Sequence, residues 1–150
     1  MTRRELKLTT FDEVRCEVEK LHQQGYDRAG NWDLAQNLNH LGYFMKGALD
    51  GYPFKVHWIL KAMLGKFVKN RILRAQKMKA GVFTPQRPLP PPNTNEAQAV
   101  AEFLELLDRF AKHQGEYQES PFFGKMTRDE CHQINLIHCN HHLGYLLPKE

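Results

Sequence analysis

The residues best equipped for chemistry lie in the stretch LIHCNHHLGYLLP, where His138, His141 and His142 fall within five residues. With His132 they make up half of the chain's eight histidines. Imidazoles gathered in this way can coordinate a metal, relay protons or switch charge with pH. On a helix, at about 100° per residue, His138 and His142 point about 40° apart and lie one turn from each other. Both rings can then reach one point in front of the helix, the i,i+4 arrangement that helical metal sites use. His141, about 60° from His138 on the other side, could substitute at i+3. Alone, an i,i+4 pair suits two solvent-facing or hydrogen-bonded imidazoles at least as well.

A third imidazole is available upstream, in GNWDLAQNLNHLGYFMKGALD. Leu34, Leu38, Leu41, Met45 and Ala48 repeat there at helical spacing, and Trp32, Gln36, His40, Tyr43 and Gly47 fall on the opposite face. If each helix turns one face to the core and the other to a shared cleft, His40 meets His138 and His142. Three protein ligands leave a coordination position open, which is the catalytic pattern and not the closed structural one. Neutral nitrogen ligands suit zinc, nickel, iron(II) or copper. Such an ion acts as a Lewis acid on a bound water or thiol. Tyr43, Tyr145 and His141 are the candidate proton donors or orienting groups around it. His132, beside Leu136 and Leu143, reads as structural, and His22, His57 and His113 as surface residues.

The elements that position these residues can be read from their start signals. Thr10 opens TFDE, a capping box with Glu13, and Phe11, Val14, Val18 and Leu21 follow as a core stripe that Gly25 ends. The second helix is expected to cap at Asn31 and to close at Gly51 and Pro53. A third starts at Asn95 with Gln98 in the capping-box position, and carries Val100, Phe103, Leu104, Leu107, Phe110 and Ala111. The fourth starts at Thr127 in TRDE, with Met126 and Cys131 placed to staple it, and runs to about Leu147 before Pro148. Leu136, Leu143 and Leu147 share its core side; Cys131 and Ile134 fall with the histidines and Tyr145. No segment alternates as an amphipathic strand does.

Residues 51–93 join the second and third helices, far longer than the roughly 2–8 residues that connect antiparallel neighbours. A crossover of that length lets consecutive helices run parallel. About Val56 to Met78 is expected to be helical, and TPQRPLPPP, with five of the eight prolines, to be extended. The expected fold is therefore all-α: one domain over 1–150, a four-helix bundle with a long, partly helical crossover.

With 41% apolar and 25% charged residues the chain reads as globular. No apolar run approaches the roughly 18 residues of a membrane span. The N-terminus lacks an apolar stretch after its arginines, so no secretory signal is expected, and Cys16, Cys131 and Cys139 read as reduced thiols of a cytoplasmic protein. The net charge of +4 is concentrated: no acidic residue occurs between Asp50 and Glu96, against nine basic ones. Eight of them, from Lys55 to Lys79, are interleaved with Trp58, Phe67 and aliphatic residues. The alternative to an enzyme is thus a non-catalytic bundle binding an anionic ligand, lipid or nucleic acid through residues 55–79. A helix packing its apolar side while its lysines face water is the simpler account, and nucleic acid is not expected as a partner. A ferritin-like di-iron site is excluded, because Glu19-Lys20-Leu21-His22 is the one Glu-x-x-His motif present.

GNWDLAQNLNHL followed about 100 residues later by LIHCNHHLGYL resembles the DinB/YfiT-like superfamily of metal-dependent enzymes. Within it, LRAQKMKAGVFTP and PFFGKMTRDE resemble a branch catalogued only as a domain of unknown function. The resemblance covers nearly the whole chain. It implies an up-down-down-up bundle, His40, His138 and His142 as metal ligands, and zinc or nickel as the ion. It also implies a small-molecule substrate, activities of the low-molecular-weight-thiol S-transferase or thiol-dependent isomerase type, and a homodimer. Two positions depart from the pattern: Tyr145 stands where relatives commonly carry the Gln of HHxxQ, and Ser120 where the branch often has His before its Pro-Phe-Gly turn.

Overall fold

The computed structural model describes residues 2–53, 65–79 and 95–149. Helix α1 spans Phe11–Gln24, β1 Tyr26–Arg28, α2 Leu34–Asp50, α3 Lys66–Ala75, α4 Glu96–Lys112, α5 Arg128–Leu143 and β2 Leu146–Pro148. The protein is mostly helical, as its periodicities require, and no described helix is long and apolar enough to cross a membrane.

Local side-chain chemistry starts each long helix. Thr10 and Thr127 accept from the backbone N–H groups of Glu13 and Glu130, whose carboxylates reach back to the caps. Asn95 caps α4, although Gln98 turns instead to Glu102. In α2 the cap is Asp33, not Asn31: its carboxylate accepts from Gln36 N–H while Gln36 returns to the Asp33 N–H. Asn31 has no glutamine or glutamate three residues on, so the reciprocal box formed two residues later. Trp32 consequently stands outside the helix. Gly25, at φ 73°, ends α1 in a conformation costly for any residue with a Cβ.

The apolar stripes meet in one cluster that includes Val14, Val18 and Leu21 of α1, Leu34, Leu38, Leu41 and Met45 of α2, and Phe103, Leu107 and Phe110 of α4. Helix α5 contributes Cys131, Cys139 and Leu143. Cys131 is thus fully buried in the core while lying, two turns before His138, on the helix face expected for it. Each of α1 and α2 packs on both α4 and α5, and α3 packs on α5.

The C-terminus departs from expectation. Helix α5 stops at Leu143, and residues 146–148 pair antiparallel with β1, Tyr26 opposite Pro148 and Arg28 opposite Leu146. Gly144 ends the helix because the N-terminal strap crosses it: Arg4 N–H donates to the Gly144 carbonyl at 2.8 Å, and a Cβ on Gly144 would lie 2.7 Å from the Arg4 carbonyl oxygen. Asn140 holds the same strap by accepting from Leu8 N–H and donating to Leu8 O.

The expected helix over Val56–Met78 is met in part by α3, which ends at Gln76 in a left-handed conformation. Its first residues, 56–64, and the proline-rich tail lie outside the described residues. The basic segment is partly matched by carboxylates elsewhere. Lys69 is buried and donates to Glu130 at 2.7 Å, and Lys77 pairs with Glu5. The Lys69 hydrogen bond holds the Glu130 carboxyl below the usual range.

His132 is structural in its contacts. Its ring lies edge-on to Phe11 at 5.1 Å and beside Phe110 at 5.6 Å, and its Nε2 is 2.8 Å from the Tyr117 hydroxyl. Burial, and then the nearby Arg128, hold its pKa below the ordinary 6.5. The unfolded chain thus takes up a proton that the folded chain resists, so stability falls as pH drops below about 6.5. His132→Phe removes this contribution. Its melting temperature, followed from pH 7.5 to 5, declines less steeply than that of the wild type.

Candidate metal centre

Helices α2 and α5 bring His40, His138 and His142 together, one ligating nitrogen from each lying within 4.8 Å of the other two. His40 Nε2 and His138 Nε2 are 2.9 Å apart. That spacing allows one ring N–H to donate to the other. It also falls within the roughly 2.8–3.4 Å between two nitrogens bound to one ion at 2.0–2.1 Å. His40 is 4% exposed and the other two are half-buried.

Aromatic rings wall the cluster. Phe44, one turn along α2 from His40, sets its ring edge-on to His40 at 5.0 Å and to His138 at 5.2 Å. Trp32 stands edge-on to His40 at 5.3 Å and stacks on His142, 11° from parallel at 5.6 Å. Outside the helix, ahead of its cap, the indole can lie over a ring contributed by α5. Apolar walls lower the local dielectric and strengthen any charge interaction inside.

Asn37 was not foreseen. It lies three residues before His40, is 2% exposed, and places Oδ1 3.1 Å from His142 Nδ1. Nothing in the sequence singles out an asparagine on the buried side of a helix; the approach of α5 gives its Oδ1 a partner.

The three expected supporting residues divide. His141 Nδ1 accepts from Arg3 Nη1 at 2.8 Å. Burial and then the Arg3 charge push its pKa down, so it is neutral at pH 7. Its ring is 5.1 Å from that of His142, beside the cluster and outside the ligating set. Tyr145 is edge-on to His141 at 5.6 Å with the Arg3 guanidinium 5.3 Å over its ring, which ties it to the strap. The Tyr43 ring lies against Phe44 at 5.5 Å, and burial raises its pKa. The three cysteines are free, and burial pushes Cys131 and Cys139 up to about 12, leaving both as thiols.

A family model described as "Protein of unknown function (DUF1569)" matches residues 1–149. No curated protein and no solved structure matches the chain.

Proposed function

The chain belongs to the DUF1569 family of proteins of unknown function, and we propose from its three-imidazole cluster that it is a metal-dependent enzyme. The observation that carries this reading is the convergence of His40, His138 and His142, from two helices about 100 residues apart in sequence, within 4.8 Å. The donor set fits a divalent ion: three imidazoles, one of them buried, with Asn37 as an outer partner of the kind metal-bound histidines use. Zinc or nickel is the ion we expect.

When bound, such an ion supplies Lewis acidity that activates a water or a low-molecular-weight thiol near neutral pH. The protein's own residues do the rest. His40, His138 and His142 would hold the ion, while Trp32 and Phe44 wall the rings. Tyr43 is the residue we assign to proton donation toward a small-molecule substrate, and Tyr145 and His141 orient the outer side of the site. We read α1, α2, α4 and α5 as an up-down-down-up bundle of the DinB/YfiT type in a single domain, cytoplasmic and homodimeric; the packing of α1 and α2 on both α4 and α5 supports the bundle arrangement alone.

Zinc-loaded protein is tested against activated esters and amides, and against electrophiles with and without a low-molecular-weight thiol. Turnover that requires the thiol identifies a transferase, and turnover without it a hydrolase. Either is lost in His40→Ala. Turnover that persists in His40→Ala, or none in any arm by protein carrying one zinc per chain, removes the reading.

A further inference from the structure

The hydrogen bond between Asn37 and His142 can run in only one direction. Asn37 Nδ2 lies 2.8 Å from the Asp33 carbonyl oxygen and 3.4 Å from that of Trp32. Both oxygens only accept, so the amide nitrogen must face them. The reverse orientation would press Oδ1 against the Asp33 oxygen, lone pair on lone pair. Oδ1 therefore faces His142, and because it has no proton, the His142 Nδ1 at 3.1 Å must supply one. A neutral imidazole carries a single N–H, so its lone pair resides on Nε2.

We infer that Asn37 is a positioning residue that locks His142 as the Nδ1–H tautomer and thereby makes Nε2 its ligating atom. Trp32 completes the clamp. Its carbonyl helps fix the Asn37 amide, and its indole, 11° from parallel with the His142 ring, fixes the ring plane. One short segment, residues 32–37, sets both the tilt and the protonation pattern of a ligand on another helix. A histidine side chain free in water favours the opposite tautomer, with its proton on Nε2, so without Asn37 the ligating nitrogen is mostly blocked. The inference takes its purpose from the proposed metal site, but the tautomer is a property of the metal-free protein and can be tested there.

Full-length, metal-free, 15N-labelled protein is examined by long-range 1H–15N correlation of the imidazoles, with His142 assigned from the signals missing in His142→Gln. Wild type is expected to show His142 with Nδ1–H. Asn37→Leu, which keeps the volume and removes the acceptor, shifts it toward Nε2–H. In zinc competition titrations Asn37→Leu binds about 10–100-fold more weakly, the usual effect of losing an outer partner. If Asn37→Leu does not fold by circular dichroism, Asn37→Ser, too short to reach the ring, replaces it. Nε2–H in the wild type, or the same tautomer in Asn37→Leu, overturns the inference even if zinc binds. The expected tautomers in a protein that binds no zinc uphold Asn37's role and defeat the metal reading.

Discussion

His138→Ala abolishes most of the thermal stabilisation that zinc confers on the wild type. An ion that binds only the folded chain, supplied at about a thousand times its Kd, stabilises by about 4 kcal/mol. For a chain of 150 residues that corresponds to roughly 10 °C in melting temperature. Removing His138 takes away one of three nitrogens and the partner that His40 meets at 2.9 Å. Losing a ligand outright exceeds the 10–100-fold weakening that loss of an outer partner causes. The same zinc concentration then stands within about tenfold of Kd and stabilises by only about 1 kcal/mol. His22→Ala is the control. Its ring pairs with Glu96 on α4 at 2.9 Å, apart from the three-histidine group, so zinc stabilises that variant about as much as the wild type. Calorimetry with and without zinc checks both; equal shifts in wild type and His138→Ala would place the metal elsewhere.

The second large effect is on the fold. Phe110 is fully buried, with Phe11 edge-on at 5.5 Å, Tyr117 tilted at 4.8 Å and His132 at 5.6 Å. It connects α1, α4, α5 and the segment before α5 at one point. Phe110→Ala removes the ring and leaves a cavity that these neighbours fill only in part, at a cost of about 3–5 kcal/mol. That is a large share of the roughly 5–15 kcal/mol by which a domain is stable. The melting temperature falls by about 10 °C or more, measured by calorimetry in the metal-free state. Zinc still binds the folded fraction one to one, because the ring's partners belong to the other side of α5. A fall of under about 3 °C would mean that this cluster is not a principal source of stability.

Legibility in the sequence followed the range of the interactions. Caps at Thr10, Asn95 and Thr127 depend on residues three apart in the chain, and they formed where the sequence places them. The convergence of His138 with His142 likewise depends only on helical pitch, and the opposite stripes of α2 placed His40 on the side that meets them. Competition between neighbours was harder to read. Asn31 and Asp33 can both cap, and Gln36 decided for Asp33. Gly144 and Pro148 can both end a helix, and the crossing of Arg4 over Gly144 decided for the earlier one. Long-range partners left no local trace at all. The two strands are three residues each and pair across the chain, Tyr26 with Pro148. Asn37 gained its role only when α5 set His142 against it, and Cys131 lies in the core because of where α5 packs, which periodicity alone does not specify.

The claim on which the rest depends is that His40, His138 and His142 hold a divalent ion. It is tested most directly by elemental analysis and X-ray absorption on protein purified without a histidine tag. About one zinc or nickel per chain is expected, with imidazole nitrogens at about 2.0–2.1 Å around it, and near-complete loss of that metal in His138→Ala. Substoichiometric metal that persists unchanged in His138→Ala, or a first shell dominated by sulfur, contradicts it.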